Sequence, residues 1–157
     1  DALRPEIVAA AAGRPLIVTP HAGEWQRLGG RAGFQPAQEA SSVADAIAVL
    51  KGYPTRLEML SGRSQTGHAP MRSNSCYSFF GGPVLARGGS GDLLAGLIGG
   101  LLAQTPDDLW LAAARGVVWH GLAADLLARD RGQVAVQTTQ LLEFLQPALH
   151  CADHAPT

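Results

Sequence analysis

Short apolar runs alternate with segments of helical periodicity along this chain. Leu16 to Thr19 and Ala46 to Leu50 are rich in apolar and β-branched residues and are bounded by turn residues. Such runs are typical of strands buried in a parallel sheet. Arg56 to Leu60 alternates polar and apolar side chains, as an outer strand would, and Tyr77 to Phe80 is a shorter candidate strand. The pattern therefore predicts a sheet with at least two buried strands.

Apolar residues at helical spacing fill most of the remaining chain. The predicted helices are Asp1 to Ala12, Glu24 to Leu28, Ala37 to Ala44, Leu93 to Leu102, Asp107 to Arg129 and Gln140 to Leu145. We expect Thr138 or Thr139 to cap the last helix and Pro147 to lie beyond its end. The helix from Asp107 carries small residues such as Gly116 on one face, so that a neighbouring helix can pack closely. Strands that alternate with helices predict an α/β layered domain.

Composition narrows the class of protein without naming a function. The chain has 157 residues, of which 46% are hydrophobic and 16% charged, which suits one globular domain. A formal net charge of −1 argues against nucleic acid as a partner. The most apolar helix is interrupted by Gly96, Gly99 and Gly100 and is too short to cross a bilayer. With no signal peptide in the first residues, we expect a cytoplasmic protein that does not enter a membrane.

The segment Gly88-Gly89-Ser90-Gly91-Asp92 comes directly before one of the predicted helices. A glycine-rich turn at a helix start leaves several backbone N–H groups unpaired, and together with the helix dipole they attract an anion such as phosphate. Asp92 would repel phosphate, so in such a cradle it indicates a general base beside a phosphoryl group. The alternative is an ordinary helix start, at which Ser90 or Asp92 caps the backbone.

Polar residues also follow the two buried strands, where open α/β sheets bind their ligands. His21 and Glu24 come after the first strand and could contact a polar ligand or a cation. The alternatives are a capping or packing histidine for His21 and an ordinary first-turn acid for Glu24. Lys51 closes the second run and could meet a phosphate, although a solvated lysine is the simpler interpretation. His120 on the long helix is expected to be a satisfied, half-buried core residue.

Four motifs in this order resemble a known family. They are Thr19-Pro20-His21-Ala22-Gly23-Glu24, Leu50-Lys51-Gly52-Tyr53-Pro54-Thr55, the glycine turn with its helix from Ala86 to Gln104, and His120-Gly121-Leu122-Ala123-Ala124-Asp125. The sequence is similar to the ADP-dependent NAD(P)H-hydrate dehydratases of the ribokinase-like superfamily. The glycine–aspartate motif by itself would indicate only the superfamily, whereas the Thr-Pro-His and Lys-Gly motifs make the resemblance more specific.

The resemblance implies a lyase that repairs the damaged nicotinamide cofactor. Members of the family remove water from the hydrate of NADH or NADPH and consume ADP (or ATP) with Mg2+. By resemblance, Asp92 is the catalytic base, His21 and Asp92 contact the hydrated cofactor, and Glu24 lies near the metal. Nucleotide binding is assigned by the same resemblance to Lys51, Gly52, Tyr53, Pro54, Thr55, Gly88, Gly89, Ser90 and Gly91.

The resemblance also implies how much of a domain is present. The family domain begins upstream, so residues 1–149 are expected to form the C-terminal half of a ribokinase-like fold, with a mostly parallel sheet flanked by helices. Residues 150–157 are expected to form a disordered tail. The stretch from Glu58 to Phe80 does not resemble the family. An incomplete sheet would have an open edge whose backbone groups are unpaired. We therefore expect either a homo-oligomer or a missing N-terminal segment that covers this edge.

Two other functions remain open at this point. A ribokinase-like kinase of a small hydroxylated metabolite would need the same phosphate cradle. Alternatively, the chain is a catalytically inactive remnant that binds only a nucleotide or a partner chain.

Overall fold

The computed structural model describes residues 14–29, 46–61 and 75–151. The elements are four strands (β1 Leu16–Val18, β2 Ala46–Leu50, β3 Thr55–Ser61, β4 Ser75–Ser78), four α-helices (α1 Ala22–Arg27, α2 Ser90–Gln104, α3 Leu109–Arg131, α4 Leu141–Cys151) and two short 3-10 helices at Gly82–Leu85 and Thr138–Gln140. The helices predicted over 1–12 and 37–44, residues 62–74 of the stretch that does not resemble the family, and the tail residues 152–157 lie outside the described residues.

The described strands form one sheet in the order β1-β2-β3-β4. The pair β1–β2 is parallel, as predicted, but β2–β3 and β3–β4 are antiparallel. The expectations of a mostly parallel sheet and of an outer β3 are therefore wrong for this part of the chain. The reason lies in residues 51–54, since so short a connection allows a hairpin but no parallel crossover. The α/β layering itself is confirmed.

The strand β2 is buried on both faces, as its unbroken apolar run predicts. On one face Ile47 and Val49 pack with Leu57 of β3 and with residues of α2 and α3, including Ile98. On the other face Ala48 packs with Val18 and Leu28. Helices on one side and the β1–α1 segment on the other thus hold the carboxyl end of β2 in a fixed place.

The small-residue face predicted on α3 is confirmed and explains its close packing on α2. A Cβ atom at Gly116 would lie 2.5 Å from Cγ1 of Ile98, so a glycine is needed at this crossing. The helix begins two residues later than predicted. Asp108 is its N-cap, and Oδ1 of Asp108 accepts a hydrogen bond from Leu111 N at 2.8 Å.

The prediction that the last helix stops before Pro147 is wrong. Pro147 lies inside α4, and the helix includes His150 and Cys151, which were expected in the tail. Its apolar face, with Leu141 and Ala148, is buried against α3, and this packing outweighs the hydrogen bond that proline cannot donate. Gln137, rather than Thr138 or Thr139, provides the capping box that precedes α4. Within the described residues, no helix has the length and apolar character that crossing a membrane requires.

Candidate functional site

The carboxyl ends of β1 and β2 lie side by side. The backbone N–H of Lys51 donates a hydrogen bond to the carbonyl oxygen of Pro20 at 3.0 Å. The turn that follows β1 and the turn that follows β2 are therefore joined at one edge of the sheet, where the sequence predicted a ligand.

The side chain of Lys51 lies against the start of α2. A Cβ atom built on Gly91 would lie 2.9 Å from Nζ of Lys51, so the ammonium group occupies the space that a glycine leaves open. Lys51 is half-buried, and its ammonium group forms no hydrogen bond or ion pair with another described residue. A cation beside the amino end of a 15-residue helix makes a region of positive potential.

The backbone of the glycine turn is held by side chains on both sides of it. Gly89 is the N-cap of α2 with φ of +86°, a left-handed conformation that favours glycine. Oγ of Ser90 donates to the carbonyl oxygen of Leu85 at 2.6 Å, and Oγ1 of Thr138 donates to that of Gly88 at 2.8 Å. Arg87 donates to the carbonyl oxygen of Val134.

Among the residues that the structure describes, no side chain caps the start of α2. The alternative interpretation of the turn, in which Ser90 or Asp92 is an N-cap, is therefore wrong. The N–H groups of Ser90, Asp92 and Leu93 donate to the carbonyl oxygens of Arg87 and Gly89, and that of Gly91 has no hydrogen-bond partner among the described residues.

A cavity of about 740 Å³ opens in front of Lys51 and the start of α2. It gathers six of the residues for which nucleotide binding was predicted: Lys51, Gly52, Tyr53, Thr55, Ser90 and Gly91. Three others, Pro54, Gly88 and Gly89, do not line it. The predicted nucleotide residues are thus brought together in part, from segments that are about 35 positions apart in the chain.

One wall of the cavity is formed by residues that were not predicted as site residues. The aromatic side chains of Phe79 and Phe80 line it, and both are exposed. Gly121 of α3 lies directly beneath this turn, since a Cβ atom there would be 2.4 Å from Cβ of Phe80. Oδ1 of Asp125 accepts a hydrogen bond from Gly81 N at 3.1 Å and fixes the turn. In the sequence, the signal for these contacts is the spacing of Gly121 and Asp125, which stand four residues apart on one helix. The sequence alone does not show that this part of the helix meets the turn.

His120 was expected to be a satisfied, half-buried residue, and this is wrong. The residue is 4% exposed and lines the cavity, and its Nε2 has no hydrogen-bond partner among the described residues. Burial lowers the pKa of His120 to about 4, although a backbone hydrogen bond with Ser90 partly opposes this change. The imidazole is therefore neutral at physiological pH.

The low pKa of His120 predicts how stability depends on pH. The unfolded chain takes up a proton near pH 6.5 and the folded chain only near pH 4, so the unfolded state binds more protons in between. The free energy of unfolding should therefore rise with pH across this window, by on the order of 1 kcal/mol per pH unit. Urea unfolding of the wild type and of His120→Gln at several pH values measures how much His120 contributes to this pH dependence. If the free energies of unfolding of the two proteins follow parallel pH profiles, the prediction is wrong.

His21 and Glu24 form a reciprocal capping box at the start of α1. Nδ1 of His21 accepts from Gly23 N at 3.1 Å and Glu24 N at 3.3 Å, while Oε2 of Glu24 accepts from His21 N at 2.8 Å. The capping roles that were kept as alternatives are thus present, and neither side chain lines the cavity. No cluster of three or more potential metal ligands exists among the described residues.

Asp92 lies on the other side of the first turn of α2. It is exposed and lines a second, largely apolar cavity of about 400 Å³ together with Leu93, Gly96 and Trp119. Its carboxylate forms no hydrogen bond or ion pair with another described residue. Lys51 and Asp92 therefore line different cavities, although Gly91 and Asp92 are neighbours in sequence.

The layered sheet and the glycine turn at the start of α2, with Lys51 against Gly91, are those of an α/β protein of the carbohydrate-kinase class. The family model for NAD(P)H-hydrate dehydratase matches residues 5–147. The chain belongs to the NAD(P)H-hydrate dehydratase family.

Curated relatives agree with this assignment. The bifunctional NAD(P)H-hydrate repair enzyme Nnr of Synechocystis is 37% identical over 141 residues, which cover 85% of this chain and 24% of the relative. The ADP-dependent (S)-NAD(P)H-hydrate dehydratase of Listeria monocytogenes is 37% identical over 132 residues, which cover 83% of this chain and 42% of the relative. The chain thus spans 24% to 42% of the length of these proteins.

A solved structure has the same fold. The ADP/ATP-dependent NAD(P)H-hydrate dehydratase of Bacillus subtilis, crystallised with ATP and Mg2+, is 26% identical with a TM-score of 0.65. The match covers 88% of this chain and 48% of that protein. The predicted ribokinase-like family fold, present in part, is therefore confirmed.

Proposed function

We propose that this chain forms the nucleotide-binding part of an ADP-dependent NAD(P)H-hydrate dehydratase, which returns hydrated NADH or NADPH to the active cofactor. The observation that carries the proposal is the ammonium group of Lys51 against Gly91 at the start of α2, in a chain of this family. A relative named for its dependence on ADP and a neighbour crystallised with ATP and Mg2+ support an adenine nucleotide as the second substrate.

In this proposal the cavity binds the nucleotide by charge and shape. The Lys51 ammonium group and the N–H group of Gly91 receive the phosphates, because both present positive charge at the start of α2. Tyr53, Phe79 and Phe80 give the cavity aromatic surface on which a base can lie. Phosphoryl transfer depends mainly on such positioning and on neutralising charge.

Asp92 is proposed as the general base that acts on the hydrated cofactor. Its carboxylate takes the proton from the hydrate hydroxyl, whose oxygen attacks the terminal phosphorus of ADP, and the bond from that phosphorus to the AMP oxygen breaks. The phosphorylated hydroxyl then leaves carbon as phosphate while the electron pair of the ring nitrogen forms a carbon–nitrogen double bond. Loss of a proton from the adjacent ring carbon to water forms the carbon–carbon double bond and returns the electron pair to the nitrogen. Asp92 is exposed and lines a cavity next to the first turn of α2, where we propose that the hydrated cofactor lies beside the terminal phosphate.

Magnesium fits the proposal only with the nucleotide present. Mg2+ is commonly held by one or two carboxylates together with phosphate oxygens and water. Oε2 of Glu24 already accepts from His21 N, and this carboxylate does not line the nucleotide cavity. We propose that Glu24 lies near a magnesium ion that is held mainly by the nucleotide phosphates.

The remaining surroundings of the site are part of the same proposal. In the described sheet, β1 and β4 are the end strands, and we propose that a further segment or a second copy of the chain covers an open edge. The thiol of Cys76 is free, which agrees with a reducing compartment, and we propose the cytoplasm.

The decisive experiment follows the product directly. Incubating the protein with hydrated NADH, ADP and magnesium should restore the NADH absorbance, and omitting ADP should abolish the recovery. No recovery by a folded sample would overturn the dehydratase proposal. In that case, ADP binding measured by calorimetry would indicate an inactive nucleotide-binding protein. Turnover of ATP with a small hydroxylated metabolite, but not with the hydrate, would indicate a kinase.

A further inference from the structure

The glycine turn before α2 has few constraints of its own. Gly88 and Gly89 are exposed, and a Cβ atom at Gly88 would meet no atom of the described residues within 4 Å. Glycine has more backbone conformations available than any other residue, so a glycine turn loses more entropy when a ligand orders it. Unless another part of the chain fixes this turn, the binding of a phosphate has to offset that loss.

The segment that connects α3 with α4 constrains the turn from two directions. The guanidinium group of Arg87, which precedes the glycines, donates to the carbonyl oxygen of Gln133 at 3.3 Å and to that of Val134. In the opposite direction, Oγ1 of Thr138 donates to the carbonyl oxygen of Gly88 at 2.8 Å. The Gly88 carbonyl group is therefore bonded to a side chain that lies 50 positions further along the chain.

Thr138 contacts the turn with both branches of its side chain. A Cβ atom built on Gly89 would lie 3.6 Å from the Cγ2 methyl group of Thr138, so the methyl group lies beside this left-handed residue. The carbonyl oxygen of Gly89 in turn accepts a hydrogen bond from Asp92 N at 3.1 Å, and Gly91 stands between these two residues. The contacts thus run without a gap from Thr138 through Gly88 and Gly89 to the first turn of α2.

The position of Thr138 is itself fixed by the start of α4. Thr138 is half-buried and begins the short 3-10 helix that leads into α4, where Oε1 of Gln140 accepts a hydrogen bond from Gln137 N at 2.7 Å. The next residue, Leu141, is buried in the cluster between α3 and α4. A donor on a packed element directs the Gly88 carbonyl group to one place and does not move with it.

We propose that Thr138 is a positioning residue of the nucleotide site, which holds the glycine turn in its phosphate-binding conformation before the nucleotide binds. The inference rests on the proposed nucleotide site and adds to it a residue that does not line the cavity. The hydroxyl group acts through the backbone of the turn, which carries both Gly91 and Asp92. Its loss should therefore weaken the binding of ADP and also slow the chemical step.

Thr138→Val tests the role of the hydroxyl group, because it puts a methyl group of nearly the same size in its place. ADP affinity, measured by calorimetric titration, should fall by about 3- to 10-fold, the usual contribution of one hydrogen bond. The kcat for NADH recovery should also fall at saturating ADP, because a looser turn is less often in the reactive geometry. The melting temperature should change little, since the exposed Gly88 carbonyl group can bond to water instead.

Two further substitutions serve as controls. Thr138→Ser keeps the hydroxyl group and removes the methyl group, so it should retain most of the wild-type affinity and kcat. Thr139→Val makes the same change at the next residue, which is exposed and whose side chain forms no hydrogen bond with another described residue. It should leave both quantities unchanged.

The outcomes separate the inference from the function on which it rests. If Thr138→Val binds ADP and turns over like the wild type, the positioning role is wrong and the nucleotide site stands. If Thr138→Ser loses as much affinity as Thr138→Val, the shape of the side chain matters and not its hydroxyl group, which also overturns the proposal. If folded wild type binds no ADP, the nucleotide site is wrong and the positioning role fails with it.

A measurement without nucleotide tests directly whether Thr138 orders the turn. In the ligand-free protein, the backbone order parameters of Gly88 and Gly89 from nitrogen-15 relaxation should be those of rigid backbone in the wild type and in Thr138→Ser. They should fall in Thr138→Val and rise again when ADP is added. Equal order parameters in the three proteins would overturn the proposal even if the affinity for ADP had changed.

Discussion

Replacing Asp92 with asparagine is expected to lower the rate of NADH recovery by about 10²- to 10⁴-fold, the usual contribution of a general base. The amide has the same size as the carboxylate but cannot take the proton of the hydrate hydroxyl. ADP affinity should stay within about threefold or increase slightly, because the variant removes a negative charge next to the site proposed for phosphate. Asp92 does not line the nucleotide cavity, so its side chain should not be needed for binding.

The measurement combines the absorbance assay with calorimetric titration of ADP. Asp107→Asn is the matched control, because Asp107 is an exposed aspartate beyond the opposite end of α2 and should leave both quantities unchanged. An unchanged rate in Asp92→Asn would remove Asp92 from its proposed role. Loss of ADP binding in parallel with the rate would indicate that the carboxylate positions the nucleotide and is not a base.

Replacing Gly121 with alanine is expected to destabilise the protein and to open the aromatic wall of the cavity. The new Cβ atom would lie 2.4 Å from Cβ of Phe80 and 3.0 Å from the backbone carbon and oxygen of Phe80. Backbone cannot move aside as a flexible side chain can, so a loss of about 1–3 kcal/mol or more is expected. The melting temperature should fall by several degrees, and ADP affinity should fall with it.

Gly99→Ala on α2 provides the matched control for this substitution. A Cβ atom at Gly99 meets no atom of the described residues within 4 Å, so alanine there should stabilise the helix by about 0.5–1 kcal/mol. Thermal unfolding of both variants compares two glycines in two long helices. If Gly121→Ala melts at or above the wild-type temperature, the close approach of α3 to the Phe80 turn is wrong.

The elements that the sequence predicted well are those whose signal is local. The apolar runs of β1 and β2 and the small-residue face of α3 follow from residues that are close together in the chain. The antiparallel direction of β3 was missed because the prediction followed the alternating pattern of the strand and not the length of the connection 51–54, which allows only a hairpin. The continuation of α4 through Pro147 was missed because burial against α3 outweighs the local preference of proline.

The site was predictable in the same partial way. Glycines, Lys51 and Asp92 were identified by the chemistry that a phosphate cradle requires, and the structure brings Lys51 and Gly91 together. The orphaned Nε2 of His120 could not be predicted, since it depends on which groups of other elements fail to reach it. The hydrogen bond between Asp125 and Gly81 joins residues 44 positions apart, so the local sequence pattern could not predict it either.

The cavity walls come from the β2–β3 turn, the start of α2 and the middle of α3, which meet only after the chain has completed its tertiary structure. A small molecule that binds in this cavity therefore binds only the folded protein and shifts the folding equilibrium toward it. At a hundredfold excess over its dissociation constant it would add about 2.7 kcal/mol of protection against global unfolding. Thermal-shift screening of metabolite collections, with no knowledge of turnover, would thus rank ligands for this protein by affinity.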